Sequence, residues 1–242
     1  MNLDTATATE PSAAGASWLI SLLQTSDSFY PTGGYAHSYG LESLVLAAVV
    51  HDRASLRTWL LEGVLPGLEQ TDLPVTAHAW TALRARDWPA VGEWCELAAA
   101  LKPARELRVA SSNIGRQRAE LAATLHGSAL AREFLQRAAA AGWPHSASVA
   151  AALEGVVIAA PRSAVLFGCV YTAVAALIAA AMKLLRLGQN AAQSLLTEAL
   201  ALAPALVARA EQVSRHEIGW FNPWMEIAAA QHELADARLF IS

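Results

Sequence analysis

Apolar residues recur at helical spacing almost from one end of this chain to the other, while strand-like alternation is nearly absent. Trp18, Leu19, Leu22 and Leu23 fall on one helical face and predict an opening helix. The Pro31-Thr32-Gly33-Gly34 cluster then breaks the pattern into a loop. A second helix is expected from His37 to Val50. Asp52 is placed to cap a third, with Leu56, Trp59, Leu60 and Val64 as its apolar stripe. Asp87-Trp88-Pro89 reads as a turn into another helix, because proline is tolerated in a first turn. Lys102-Pro103 is the next joint, followed by a long amphipathic stretch from Ala104 to Leu125 and a restart at Gly127-Ser128. Gly142-Trp143-Pro144, Ala160-Pro161, Pro204 and Gly219-Trp220-Phe221-Asn222-Pro223 mark the later breaks. The pattern predicts an all-α, single-domain bundle of roughly ten helices joined by short connections, without internal repeats.

Composition sharpens this picture at four points. Of 242 residues, 55% are hydrophobic and only 16% charged, so the chain either buries much of itself against partners or enters a membrane. A net charge of −4 without any basic run argues against nucleic-acid binding. Cys95 and Cys169 lie far apart with no CxxC, which suits a reduced, cytoplasmic setting. Residues 1–16, rich in Ala, Thr, Ser and Gly, are expected to form a disordered leader lacking the basic and apolar regions of a secretory signal. The all-helical domain is then expected over 17–242.

Candidate chemistry is sparse. The uncharged apolar run from Ser163 to Met182 is long enough to cross a bilayer, yet ordinary amphipathic helices surround it and no second span exists. It is read as a buried central helix. Seven histidines, His37, His51, His78, His126, His145, His216 and His232, show neither a paired i, i+4 spacing nor an HExxH motif. A histidine cluster assembled only in three dimensions, in a metal-binding protein or an enzyme, is the alternative reading. Gly33-Gly34 lacks the Gly-Lys-Ser/Thr ending of a phosphate loop, and no serine sits on a nucleophile elbow.

Two stretches stand apart from this background. One is Ser26-Asp27-Ser28-Phe29-Tyr30-Pro31-Thr32-Gly33-Gly34-Tyr35-Ala36-His37-Ser38-Tyr39-Gly40-Leu41-Glu42. The other is the ending His232-Glu233-Leu234-Ala235-Asp236-Ala237-Arg238-Leu239-Phe240-Ile241-Ser242. An apolar Leu-Phe-Ile end needs a groove, either in its own bundle or in a partner. The first stretch mixes glycine, aromatic and polar residues in a way that capping alone does not require.

Together these stretches resemble the urease accessory protein F family. The resemblance rests on Leu22-Leu23-Gln24, Ser26-Asp27-Ser28, Pro31-Thr32-Gly33-Gly34-Tyr35, Ser38-Tyr39-Gly40-Leu41-Glu42, and the ending at His232, Glu233, Arg238, Leu239, Phe240 and Ser242. Glu106-Leu107-Arg108 with Ser111, and Leu187-Gly188-Gln189 with Gln193, resemble family positions between them. Trp143-Pro144-His145-Ser146-Ala147-Ser148-Val149, running on to Gly155, fits only loosely, and no role passes to His145. The resemblance implies a cytoplasmic, dimeric, all-helical scaffold with no catalytic centre and no cofactor of its own. Such a scaffold bridges the accessory protein known as D or H to the nickel-carrying GTPase G, and through that complex serves the urease apoprotein. On this reading Gly33, Gly34, Tyr35, His37, Tyr39 and Glu42 shape the GTPase side. His232, Glu233, Arg238, Leu239, Phe240 and Ser242 face the D/H-type partner.

Overall fold

A computed structural model describes residues 16–34, 37–232 and 239–240. Apart from Ala16, the expected leader lies outside the described residues, as do Tyr35, Glu233, Arg238 and Ser242. Among the described residues the regular structure is helical, without strands. The helices are α1 (Ser17–Ser26), α2 (Leu41–Leu46), α3 (Arg53–Thr58), α4 (Leu65–Gln70), α5 (Asp72–Ala85), α6 (Trp88–Ala100), α7 (Arg105–Leu125), α8 (Ala129–Ala141), α9 (Ala147–Val157), α10 (Arg162–Leu184), α11 (Gln189–Ala201), α12 (Ala203–Ala210) and α13 (Pro223–His232). The all-α, single-domain expectation holds.

Local chemistry explains most helix boundaries. Asp52 accepts from the Ser55 amide at 2.8 Å, and Ser55 Oγ accepts from the Asp52 amide at 3.0 Å, forming a reciprocal cap for α3. Asp87, Ser128 and Ser146 cap α6, α8 and α9 in the same one-sided way, each side chain accepting an amide of the first turn. Between α3 and α4 the chain widens into a π-helical turn over Trp59–Val64. Pro66 follows, and its missing N–H and bulky ring disturb the regular ladder of the preceding turn.

The expected second helix is shorter than its sequence pattern. Tyr39 and Gly40 have φ of +54° and +84°, so a right-handed helix cannot begin before Leu41, and Ala48 at +55° closes it.

Two apolar cores fill the molecule. α2, α3, α4, α10, α11 and α12 build one, into which Phe240 also packs. The other lies among α5, α6, α7, α8 and α9. Long α10 passes between them and packs on α1, α2, α5, α9, α11 and α12. It is the one described helix that by itself is long and apolar enough to cross a membrane, and half of its most apolar window is buried in the protein. The bent pair α11 and α12 passes the same composition test only if the two are taken together.

Candidate functional site

The two distinctive stretches meet at the start of α2. Gly40 makes the meeting possible. A Cβ there would lie 3.4 Å from the backbone nitrogen of Ala229, so the glycine lets α13 press its small residues Ala228 and Ala229 against the α2 start. Ser38 Oγ accepts from the Glu42 amide at 3.4 Å. The second residue of α2 is therefore held with its side chain directed inward, and Glu42 is buried.

The Glu42 carboxylate has three hydrogen-bond partners. Leu239 N–H reaches Oε1 at 2.7 Å, Phe240 N–H reaches Oε2 at 3.1 Å, and His232 Nε2 lies 3.0 Å from Oε2. The opposite ring nitrogen, His232 Nδ1, is 2.8 Å from Glu106 Oε2 on α7. The His232 side chain is 1% exposed, and those of Glu42 and Glu106 are 7% and 13% exposed. Burial pushes the Glu42 carboxyl up. The hydrogen bond with His232 and the two tail amides outweigh that effect and hold it below the usual carboxylate range. His37 sits beside this cluster, with burial lowering its pKa and the Glu106 charge opposing that shift.

The tail docks on its own bundle. Phe240 is 6% exposed within the first core, with Lys183 Nζ of α10 5.3 Å from its ring centre. Leu239, by contrast, is exposed. Phe221, just before α13, and Trp224 and Ile227 within it are exposed too.

The first stretch is not displayed as its composition suggests. His37 is buried and Tyr39 half-buried, with their rings 6.2 Å apart. Burial, aided by the charge of Asp72, pushes the Tyr39 hydroxyl up to about 12. Of the two adjacent glycines only Gly33 uses the left-handed region, at φ +79°; Gly34 does not. Among the described residues of this stretch, Asp27, Ser28, Phe29, Pro31 and Gly33 are exposed.

This stretch hangs on a buried network which the motifs did not reveal. Tyr30 O–H donates to Glu154 Oε1 at 2.5 Å. Arg118 Nε donates to Glu154 Oε2 at 2.8 Å, and Arg118 Nη2 donates to the Thr25 carbonyl at 3.2 Å. A sequence signal did exist. Glu154 is the single charge in the otherwise apolar α9, and such a charge persists only where it is paired. The network borders a partly open cavity of about 290 Å³, which the Asp72–Lys102 pair, 3.1 Å apart, also lines.

Histidines do not assemble as the alternative reading requires. Among the described residues there is no group of three or more His, Cys, Asp or Glu side chains placed to hold a metal ion. His78 stacks on Trp94 and His145 tilts against Phe134. Burial raises Cys169 to about 11 and Cys95 to about 12, so both are thiols rather than thiolates at neutral pH.

The chain is similar to known proteins over nearly its whole length. The UreF family model matches residues 50–200, the part of the chain between the two stretches. Over 236 residues the chain is 31% identical to a urease accessory protein UreF of Paracidovorax citrulli, covering 97% of this chain and 93% of that one. Over 238 residues it is 32% identical to a UreF of a Bradyrhizobium strain, covering 96% of both. A bifunctional urease accessory protein UreEF of Bordetella bronchiseptica is 32% identical over 240 residues, which make up 98% of this chain and 54% of the relative. With the central region matching the family model and whole-length relatives covering both ends, the chain belongs to the UreF family of urease accessory proteins.

Proposed function

We propose that this protein is a non-catalytic, cytoplasmic assembly factor that bridges a D/H-type accessory protein and the nickel-carrying GTPase G, enabling GTP-dependent nickel insertion into the urease active site. Family membership carries this reading, and in the Bordetella bronchiseptica relative a UreF-like region is covalently joined to a second accessory function. Separate exposed apolar patches on one small bundle are what a bridging protein needs.

The D/H-type partner is assigned to the surface of α13 and the docked tail. Phe221 and Trp224 are 72% and 75% exposed, and Leu239 is exposed on the tail. Buried His232 and Phe240 position this surface, and Glu233, Arg238 and Ser242 are assigned to the same side. The GTPase is assigned to the outer turn that includes Gly33 and Gly34, supported from within by His37, Tyr39 and Glu42, with Tyr35 on the same segment. Changing Gly34 to Val tests this. A Cβ at Gly34 meets only Thr32 Oγ1 at 3.5 Å and Ile114 Cδ1 at 3.8 Å, so the variant is expected to fold. It should still bind the D/H-type partner but recruit less GTPase and activate urease less. A folded Gly34→Val protein with full GTPase recruitment removes this turn as the contact.

A homodimer is the third part of the reading. α1 contains no charged residue, and α10 contains none between Arg162 and Lys183. These two helices pack together closely enough that a Cβ on Gly168 would sit 3.1 Å from Leu22 Cδ1. Ile20 and Leu23 on α1, and Phe167 and Tyr171 on α10, remain exposed around that seam, Ile20 at 71%. A charge-free face of this kind matches a second copy of itself without repulsion. Ile20→Arg is expected to convert a dimer into a monomer in sedimentation at micromolar concentration without lowering the melting temperature. A dimer unchanged by Ile20→Arg and by Phe167→Arg would place the interface elsewhere.

Mixing the protein with its two partners tests the whole reading. A stable complex holding all three, with nickel- and GTP-dependent urease activation lost when this protein is omitted, is expected. Failure to bind either partner would overturn it.

A further inference from the structure

The partly open cavity beside the Tyr30–Arg118–Glu154 network is also lined by Trp59 of the π-helical turn and by Glu226 of α13. Its volume of about 290 Å³ matches the lower end of the range of about 300–1,000 Å³ usual for small-ligand sites. The walls are mainly apolar, with Leu22, Leu68, Ile114, Leu177 and Met225 among them. Two polar atoms interrupt this lining. Among the described residues, Trp59 Nε1 and Glu226 Oε2 are buried without a hydrogen-bond partner. They belong to neighbouring parts of the wall, since a Cβ on Gly63 would lie 3.7 Å from Trp59 Cδ1 and 3.2 Å from Sδ of Met225, the residue before Glu226. Buried polar groups are normally paired, and π-helical turns recur at functional sites.

The walls carry one acid more than their bases neutralise. Apart from exposed Asp27, the charged lining residues are Asp72, Glu154 and Glu226 against Lys102 and Arg118. Lys102 Nζ lies 3.1 Å from each Asp72 oxygen, and Arg118 Nε donates to Glu154 at 2.8 Å. Both bases are committed, and Glu226 is the acid left over. Burial pushes its carboxyl up, and the opposing Lys102 charge does not cancel that shift. Among the described residues no three His, Cys, Asp or Glu side chains are placed to hold a metal ion, so the site suits a single positive charge on an organic group. Trp59 and Trp220 supply aromatic wall, a surface that attracts ammonium groups. We propose that this cavity binds a small organic monocation: a protonated amine paired with Glu226, on an apolar body with an acceptor for the Trp59 N–H. Such a site goes beyond the partner assignments and does not depend on them.

Para-methoxybenzylamine, protonated at neutral pH, is the probe, and para-methoxybenzyl alcohol is its neutral counterpart. In calorimetric titration of the full chain, the amine is expected to bind with a Kd of about 1 mM or tighter. It should bind at least about tenfold tighter than the alcohol, the usual gain from a hydrogen bond to a charged group. Glu226→Gln should erase that preference without lowering the melting temperature, because it removes a buried unpaired acid. Glu62→Gln, at an exposed acid on the same π-helical turn, should leave amine binding unchanged. In nitrogen–proton NMR spectra the Trp59 indole signal, assigned by its loss in Trp59→Phe, should shift when the amine is added. Equal affinity for amine and alcohol, wild-type amine binding by folded Glu226→Gln, an equal loss in Glu62→Gln, or an unmoved Trp59 signal overturns the proposal. So does an amine that fails to bind at about 10 mM.

Discussion

Replacing Phe240 with alanine is expected to destabilise the protein by about 3–5 kcal/mol, the usual cost of emptying a buried phenylalanine site. For a chain of this size the melting temperature falls by on the order of 10 °C. The ring is buried in the first core and carries a cation contact from Lys183 of α10. Truncation therefore removes packing from the bundle itself. The loss of packing also weakens the seat of the two amides on Glu42. Binding of the D/H-type partner by the folded fraction should then drop only as far as Leu239 is displaced. Thermal melts and pull-downs at a temperature where the variant is folded separate the two effects. An unchanged melting temperature would show that Phe240 does not occupy this site in solution.

Glu154→Ala is the second large effect, again expected at about 3–5 kcal/mol, because removing one member of a buried pair strands the other. The Arg118 and Glu154 side chains are 14% and 2% exposed, so solvent cannot replace the lost partner cheaply. Tyr30 loses its acceptor at the same time. Burial, helped by the nearby Glu154 charge, holds the Tyr30 hydroxyl protonated as a donor. The cost should show as a lower midpoint in urea unfolding, together with faster proteolytic cleavage in the segment around residues 26–34. Glu154→Gln keeps an acceptor for Tyr30 and should recover part of the stability. A Glu154→Ala midpoint equal to the wild-type value would mean the network carries no stability.

How legible this was in the chain varies with the range of the interaction involved. Asp52, Asp87 and Ser128 cap helices where the sequence suggests, since a cap depends only on residues three positions away. The apolar run of α10 reads correctly as a helix, but not as the fully buried one expected: half of its most apolar window is buried, and Phe167 and Tyr171 are exposed. The expected helix from His37 to Val50 reads too long. The left-handed backbone at Tyr39 and Gly40 cannot be seen in a hydrophobic pattern, and α13 packs against the turn that it makes.

By itself the sequence determined an all-helical bundle, its principal joints, its shortage of charge and the two unusual ends, because all of these follow from local propensity, spacing and composition. The tertiary structure alone decided that those ends are one site. Glu42 and His232 are 190 residues apart, and Glu106 reaches them from a third helix. Nothing in local pattern distinguishes an acid destined for solvent from one destined to hold a buried histidine and two backbone amides. The difference lies in desolvation and donor geometry, which exist only once α2, α7, α13 and the tail have packed together.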